Sequence, residues 1–162
     1  MGKIWVYIAP VVVPDGAGAT GLMSDTLTAA LSTMVVNRIA GALPADKYTT
    51  AATDKPIKIT SGYNAIKIAA ELTLKVETQG SKMTVGCTLK TVWEAIRAPS
   101  TAAGNLLGSA AKGAAAENRG TGEAGVIKIA PDALDPVVAP LVTLMLNNPN
   151  YTSYGKKLGL PL

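Results

Sequence analysis

The sequence predicts an α/β chain, an α+β sandwich in which two helices cover one face of a mostly antiparallel sheet. Three observations predict it. The chain opens on a dense β-branched and aromatic run from Ile4 to Val13, a stripe of apolar residues at helical spacing follows it, and residues 65–95 alternate apolar with polar on both sides of one turn. A length of 162 residues suits a single domain, 1–162. With 48% hydrophobic and 16% charged residues, the composition belongs to a chain that buries a core.

The elements follow in order. Ile4 to Val13 reads as a buried strand whose ladder stops near Ile8 or Ala9, because Pro10 and Pro14 cannot donate to it. A Gly-rich loop, Asp15 to Gly21, leads to Ser24 or Asp25 as a helix cap, and Leu27, Leu31, Met34, Val35 and Ile39 form the buried stripe of a helix over 24–42 that Gly41 and Pro44 end. Lys47 to Ala51 and Pro56 to Thr60 are candidate short strands, with a turn at Gly62 and Asn64.

Residues 65–95 give the strongest pattern. Ile66, Ile68, Ala70, Leu72, Leu74 and Val76 alternate with polar neighbours, as do Met83, Val85, Cys87, Leu89, Thr91 and Trp93 after Gln79-Gly80. Folding about Gln79-Gly80 pairs Val76 with Met83, Leu74 with Val85, Leu72 with Cys87 and Ile66 with Trp93, and sets Glu77 opposite Lys82. The expectation is a long central hairpin with one covered face, its lone cysteine, Cys87, in the core.

Residues 98–125 are small and permit two assignments: a helical turn or two at Ala110 to Glu117, or a further strand from Gly108 to Glu117. Gly104, Gly108 and Gly113 favour the strand. Thr121 to Gly125 reads as loop and Val126 to Ile129 as a short extended segment. A second helix over 135–147 is then expected, capped by Asp132 or Asp135, with Pro136 or Pro140 in its first turn and Asn147-Asn148-Pro149 as its stop. Residues 148–162 form a C-terminal tail.

Composition excludes much chemistry. With no histidine there is no Ser-His-Asp triad, no Cys-His dyad and no His-ligated metal, and a lone cysteine makes neither an internal disulfide nor a Cys-rich metal site. A net charge of +4 is spread over single lysines, only Lys156 and Lys157 being adjacent, and aromatics are 4%, so no nucleic-acid partner and no cofactor are expected. No uncharged apolar run reaches the roughly 18 residues of a membrane span. The opening Met1-Gly2-Lys3 carries no h-region or cleavage site, which fits a cytoplasmic protein and equally a mature exported domain.

Two short motifs need weighing. Gly16, Gly18 and Gly21 spell G-x-G-x-x-G between a strand and a helix, the pattern that lets a backbone approach a pyrophosphate, but Pro14-Asp15 intervenes and no acid follows about 20 residues on. Ser109 and Lys112 match S-x-x-K without the accompanying S-D-N or K-T-G. Glu71 and Glu77 alternate with lysines on the wet face of the hairpin and read as surface charge.

In its opening letters, Lys3-Ile4-Trp5-Val6-Tyr7-Ile8-Ala9-Pro10, the chain resembles the V-x-V-A-P first strand of bacterial envelope lipoproteins, the curli-secretion-lipoprotein-like group and the N-terminal domain of the Tol-system translocation protein. Element order extends the resemblance over residues 3–147: a helix at Leu27 to Ile39, a hairpin at Ala65 to Ala95, a small-residue strand, and a closing helix at Asp135 to Leu146. The chain has no lipobox cysteine, and the group offers no catalytic residue to carry over. The resemblance implies a periplasmic, non-enzymatic, often oligomeric interaction domain. Protein partners, with a second copy of the chain among them, are therefore expected, through sheet edges, Gly16, Gly18 and Gly21, the segment holding Gly108 and Gly113, and Leu160 in the tail. A self-packing subunit of a phage tail or virion is the alternative, and a nucleotide-binding enzyme using the Gly16–Gly21 loop is a third.

Overall fold

A computed structural model describes residues 4–13, 24–51, 65–96, 104–158, 160 and 162. The Gly16–Gly21 loop, the expected strand at Pro56 to Thr60 and the turn at Gly62 and Asn64 lie outside these residues. The elements run β1 (Ile4–Ile8), α1 (Asp25–Ala42), β2 (Tyr48–Ala51), β3 (Ala65–Gln79), β4 (Lys82–Ile96), β5 (Asn105–Arg119), α2 (Gly122–Leu146) and α3 (Pro149–Lys157). They form an α+β fold around one five-stranded mixed sheet of order β2-β1-β3-β4-β5. β1 lies parallel to β2 and β3, while β3, β4 and β5 are antiparallel neighbours over nearly their whole lengths.

β1 stops at Ile8, ahead of Pro10, although Val12 still bridges to Glu71. The side chain of Ser24 caps α1 by accepting from the Leu27 amide, and the helix ends where Leu43 turns extended ahead of Pro44. Leu27, Leu31, Val35 and Ile39 form its buried stripe. They join Ile4, Val6, Ile8, Ile66, Ile68, Leu72, Leu74 and the inward residues of β4 in one core. Among the described residues the opposite face of the sheet buries a small cluster, Tyr7, Ala65 and Ile96.

The hairpin has the expected faces but a different register. Leu74 pairs with Cys87, Leu72 with Leu89, Ile68 with Trp93 and Gln79 with Lys82, two residues away from the pairing that a Gln79-Gly80 centre gives. Gly80 takes a positive φ of 64° and Ser81 does not, so the two-residue loop is Gly80-Ser81 with glycine first, as a type II′ turn requires. A two-residue slip leaves every side chain on its own face, so alternation alone does not distinguish the two registers.

Of the two assignments for the small-residue segment the strand is the one found, as β5 over Asn105–Arg119, and the rest of the C-terminal third differs from expectation. Thr121 to Gly125 is not loop and Val126 to Ile129 is not extended, because α2 begins at Gly122 and runs 25 residues with Pro131, Pro136 and Pro140 inside it. Asp132 and Asp135 are mid-helix rather than caps. Prolines are tolerated because Pro136 and Pro140 stand on the exposed face, where the carbonyls they leave unpaired meet water. Buried pairs recur every four residues, Val126 to Met145, and hold the helix down along its length. α2 is also long and apolar enough to cross a membrane by length and composition, contrary to the expectation from uncharged runs, with half of that stretch buried inside the fold. Asn148 and Pro149, read as a stop, instead cap and start α3.

Candidate interaction surface

α2 returns over β4 and β5, and glycines set how close it comes. A Cβ on Gly125 would sit 2.9 Å from Met83 Sδ and 3.0 Å from the Gly120 carbonyl carbon, and one on Gly108 would sit 3.0 Å from Met145 Cε. On the inward face of β5, Gly108, Ala110, Ala114 and Ala116 are small, and Lys112 between them is exposed. The approach of α2 does not account for the outward residues. Ser109, Ala111, Gly113 and Ala115 are exposed, and only Gly113 is explained by a neighbour, Thr88 Oγ1 lying 2.9 Å from a Cβ built there. On its other side β5 has no strand among the described residues. A bulge at Leu107, opposite the Trp93-Glu94 step, turns that residue into the core and leaves Leu106 59% exposed. Leu144 on α2 is 62% exposed.

The sequence-derived candidates are distributed unevenly around this surface. Gly113 lies on the outward face of β5, whereas Gly108 faces Met145 and serves the packing of α2. Leu160 is buried, one methyl close to Gly155. Gly16, Gly18 and Gly21 lie outside the described residues, but the helix they precede is described. At its start Ser24 Oγ donates to the Glu123 carboxylate while accepting from the Leu27 amide, so a carboxylate already stands at the positive end of α1. Ser109 and Lys112, three apart on a strand, point to opposite faces and cannot act as a serine–lysine pair. Cys87 is buried on β4, and burial pushes its thiol up to about 11.

One feature escaped sequence reasoning. The hydroxyls of Tyr48 and Tyr151 lie 2.7 Å apart in the core, and the Tyr151 ring meets Trp93 edge-on with centroids 5.6 Å apart. Trp93 in turn donates its indole N–H to Thr91 Oγ1 at 3.2 Å. Burial raises both tyrosines above the ordinary phenol range, so both keep their protons at neutral pH. With 103 residues between the two tyrosines, no local pattern announces the pair.

No protein-family model and no curated protein sequence matches the chain. Solved structures resemble it in fold. A DUF330 protein from Xanthomonas campestris is 14% identical, with a TM-score of 0.55 over 96% of this chain and 87% of the other. A homolog of the neuraminyllactose-binding hemagglutinin from Helicobacter pylori is 8% identical, with a TM-score of 0.54 over 98% and 94%. A chain of the PelC dodecamer from Paraburkholderia phytofirmans is 14% identical, with a TM-score of 0.43 over 86% and 89%. The chain thus shares its fold with the Xanthomonas campestris and Helicobacter pylori proteins.

Proposed function

We propose that this protein is a non-enzymatic assembly domain of the bacterial cell envelope that joins a second copy of itself by adding β5 to β5. The observation that carries this reading is a 15-residue edge strand whose outer face is small, exposed and uncharged from Ser109 to Ala115, with its charges, Glu117 and Arg119, at one end. Edge strands of this length are ordinarily shielded by charges, prolines or a covering element. The strand is also self-complementary. A two-fold antiparallel pairing of the regular stretch Gly108 to Asn118 centres on Gly113 and sets Ala111 against Ala115, Ala110 against Ala116, Ser109 against Glu117 and Lys112 against Ala114. No like charges oppose each other, and both helical layers stay on one side. The envelope assignment rests on the resemblance of the opening strand and is supported by the fold likeness to the DUF330 protein and the hemagglutinin homolog.

Light scattering on a sizing column tests the proposal. Wild-type protein is expected as a dimer that Ala111→Lys/Ala115→Lys converts to monomer. A monomer at every concentration overturns the reading, and an open-ended assembly favours the particle subunit, since an isologous edge pairing closes at two copies.

A further inference from the structure

Beside the buried tyrosine pair lies a cleft of about 280 Å³, set between the β1–β2 end of the sheet, the end of α2 and α3. Ile4, Leu146 and Leu162 give it an apolar wall, Tyr48 and Tyr151 line its floor, and Lys47 stands at its rim. Two hydroxyls that share one hydrogen bond have two protons between them, so one proton is left over. Tyr151 is 1% exposed and Tyr48 8%. Either hydroxyl can donate across this contact, and because a donor without an acceptor costs more the deeper it lies, the burial favours Tyr151 giving its proton to Tyr48, which leaves the Tyr48 proton for the cleft. Among the described residues Tyr48 has no second partner and Lys47 makes no ion pair. Among the described residues no acidic side chain lines the cleft. The surroundings therefore ask for an acceptor with negative charge on a short apolar body, and the volume falls below that of drug-sized sites.

We propose that this cleft binds a small monocarboxylate with a short aliphatic chain. The carboxylate accepts the Tyr48 hydroxyl proton and faces the Lys47 ammonium, and the chain lies against Ile4, Leu146 and Leu162. Because a hydroxyl that accepts from Tyr151 donates more strongly, the pair works as a relay toward the ligand. Leu162 lies on this wall beside Gly155, where a Cβ would be 2.5 Å from its Cδ1, so Leu162 completes the site.

The test is NMR titration of the full chain with hexanoate, with hexanamide as the uncharged comparison. Hexanoate is expected to bind at about millimolar concentration, shifting the ring resonances of Tyr48 and Tyr151 and the Trp93 indole N–H, and hexanamide to bind several-fold more weakly. Tyr48→Phe should weaken hexanoate by about tenfold or more, whereas Tyr151→Phe, which leaves the Tyr48 hydroxyl in place, should keep it within about threefold. Lys47→Ala should abolish the preference for hexanoate over hexanamide. Equal binding of hexanoate to wild type and folded Tyr48→Phe, or no shift of these resonances at about 10 mM, overturns the proposal. If Tyr48→Phe does not fold, an unchanged preference in Lys47→Ala overturns it equally.

Discussion

Besides the four-residue edge strand β2, two strands have a side without a partner strand among the described residues, β5 along its length and β3 beyond Leu72, and they are protected in opposite ways. On the outer face of distal β3 stand Thr73, Lys75 and Glu77, all exposed, with Lys75 and Glu77 3.3 Å apart. Over the same distance β5 presents Ser109, Ala111, Gly113 and Ala115. Both strands offer a row of backbone donors and acceptors, but β3 carries its charges along this stretch, whereas those on the outer face of β5, Glu117 and Arg119, stand at its C-terminal end. The difference separates an edge that is guarded from one left open. It is the physical basis for assigning association to β5.

The largest effect should come from the faces beneath these edges. Leu74→Asp, which puts an unpaired carboxylate into the core, should destabilise by about 3–5 kcal/mol, whereas Ala111→Asp on the outer face of β5 should stay within about 0.5 kcal/mol of wild type. Urea unfolding at low protein concentration measures both. Comparable losses would mean that the outer face of β5 is packed rather than open. Next in size is the seat of α2 on β5: Gly125→Ala should cost about 1–3 kcal/mol despite the better helix propensity of alanine, because the added methyl meets Met83 Sδ and the Gly120 backbone.

Exchanging the guards sharpens the comparison. Lys75→Thr/Glu77→Thr strips β3 and should create a second, concentration-dependent association visible by sedimentation. An unchanged mass in that variant would show that charge is not what protects the edge. Alkaline pH probes the inner faces. The folded state holds the Cys87 thiol neutral up to about 11 while the unfolded chain releases its proton near 9.0, so above that the unfolded state binds fewer protons. Stability should thus be level below about pH 9 and fall between 9 and 11, with the two buried tyrosines, both raised, extending the decline. Thermal unfolding across pH 7–11 reads this limb, and Cys87→Ala should make it shallower. The smallest change is expected from Glu117→Gln. Its ion pair to Lys82, at 3.3 Å, is exposed on both sides, and the loss should stay below about 1 kcal/mol.

How far the sequence announces this molecule depends on whether a feature is local. α1 is legible to the residue, because Ser24, the stripe from Leu27 to Ile39 and Pro44 are all local signals. The hairpin's faces are legible and its register is not, since only the placement of glycine within the Gly80-Ser81 turn decides it. The start of α2 is not legible, because Pro136 and Pro140 mimic a first turn thirteen residues too late. The four-residue recurrence of apolar pairs from Val126 onward is the countersignal in the letters. The small residues of β5 suggested an edge but not its openness, which depends on what lies beside it. Tyr48 and Tyr151 meet only through the tertiary fold.

The open edge is most directly tested by cross-linking at the proposed two-fold axis. In a Cys87→Ala background, Ala111→Cys/Ala115→Cys places each new thiol opposite one on the second copy, within disulfide reach of an antiparallel pair at roughly 4.5–5.5 Å between Cα atoms. Mild oxidation should yield a covalent dimer in high yield, whereas Thr73→Cys on β3, which leaves Lys75 and Glu77 in place, should give no covalent dimer. A monomeric Ala111→Cys/Ala115→Cys protein, or equal cross-linking through β3, would contradict the assignment of β5 as the joining edge.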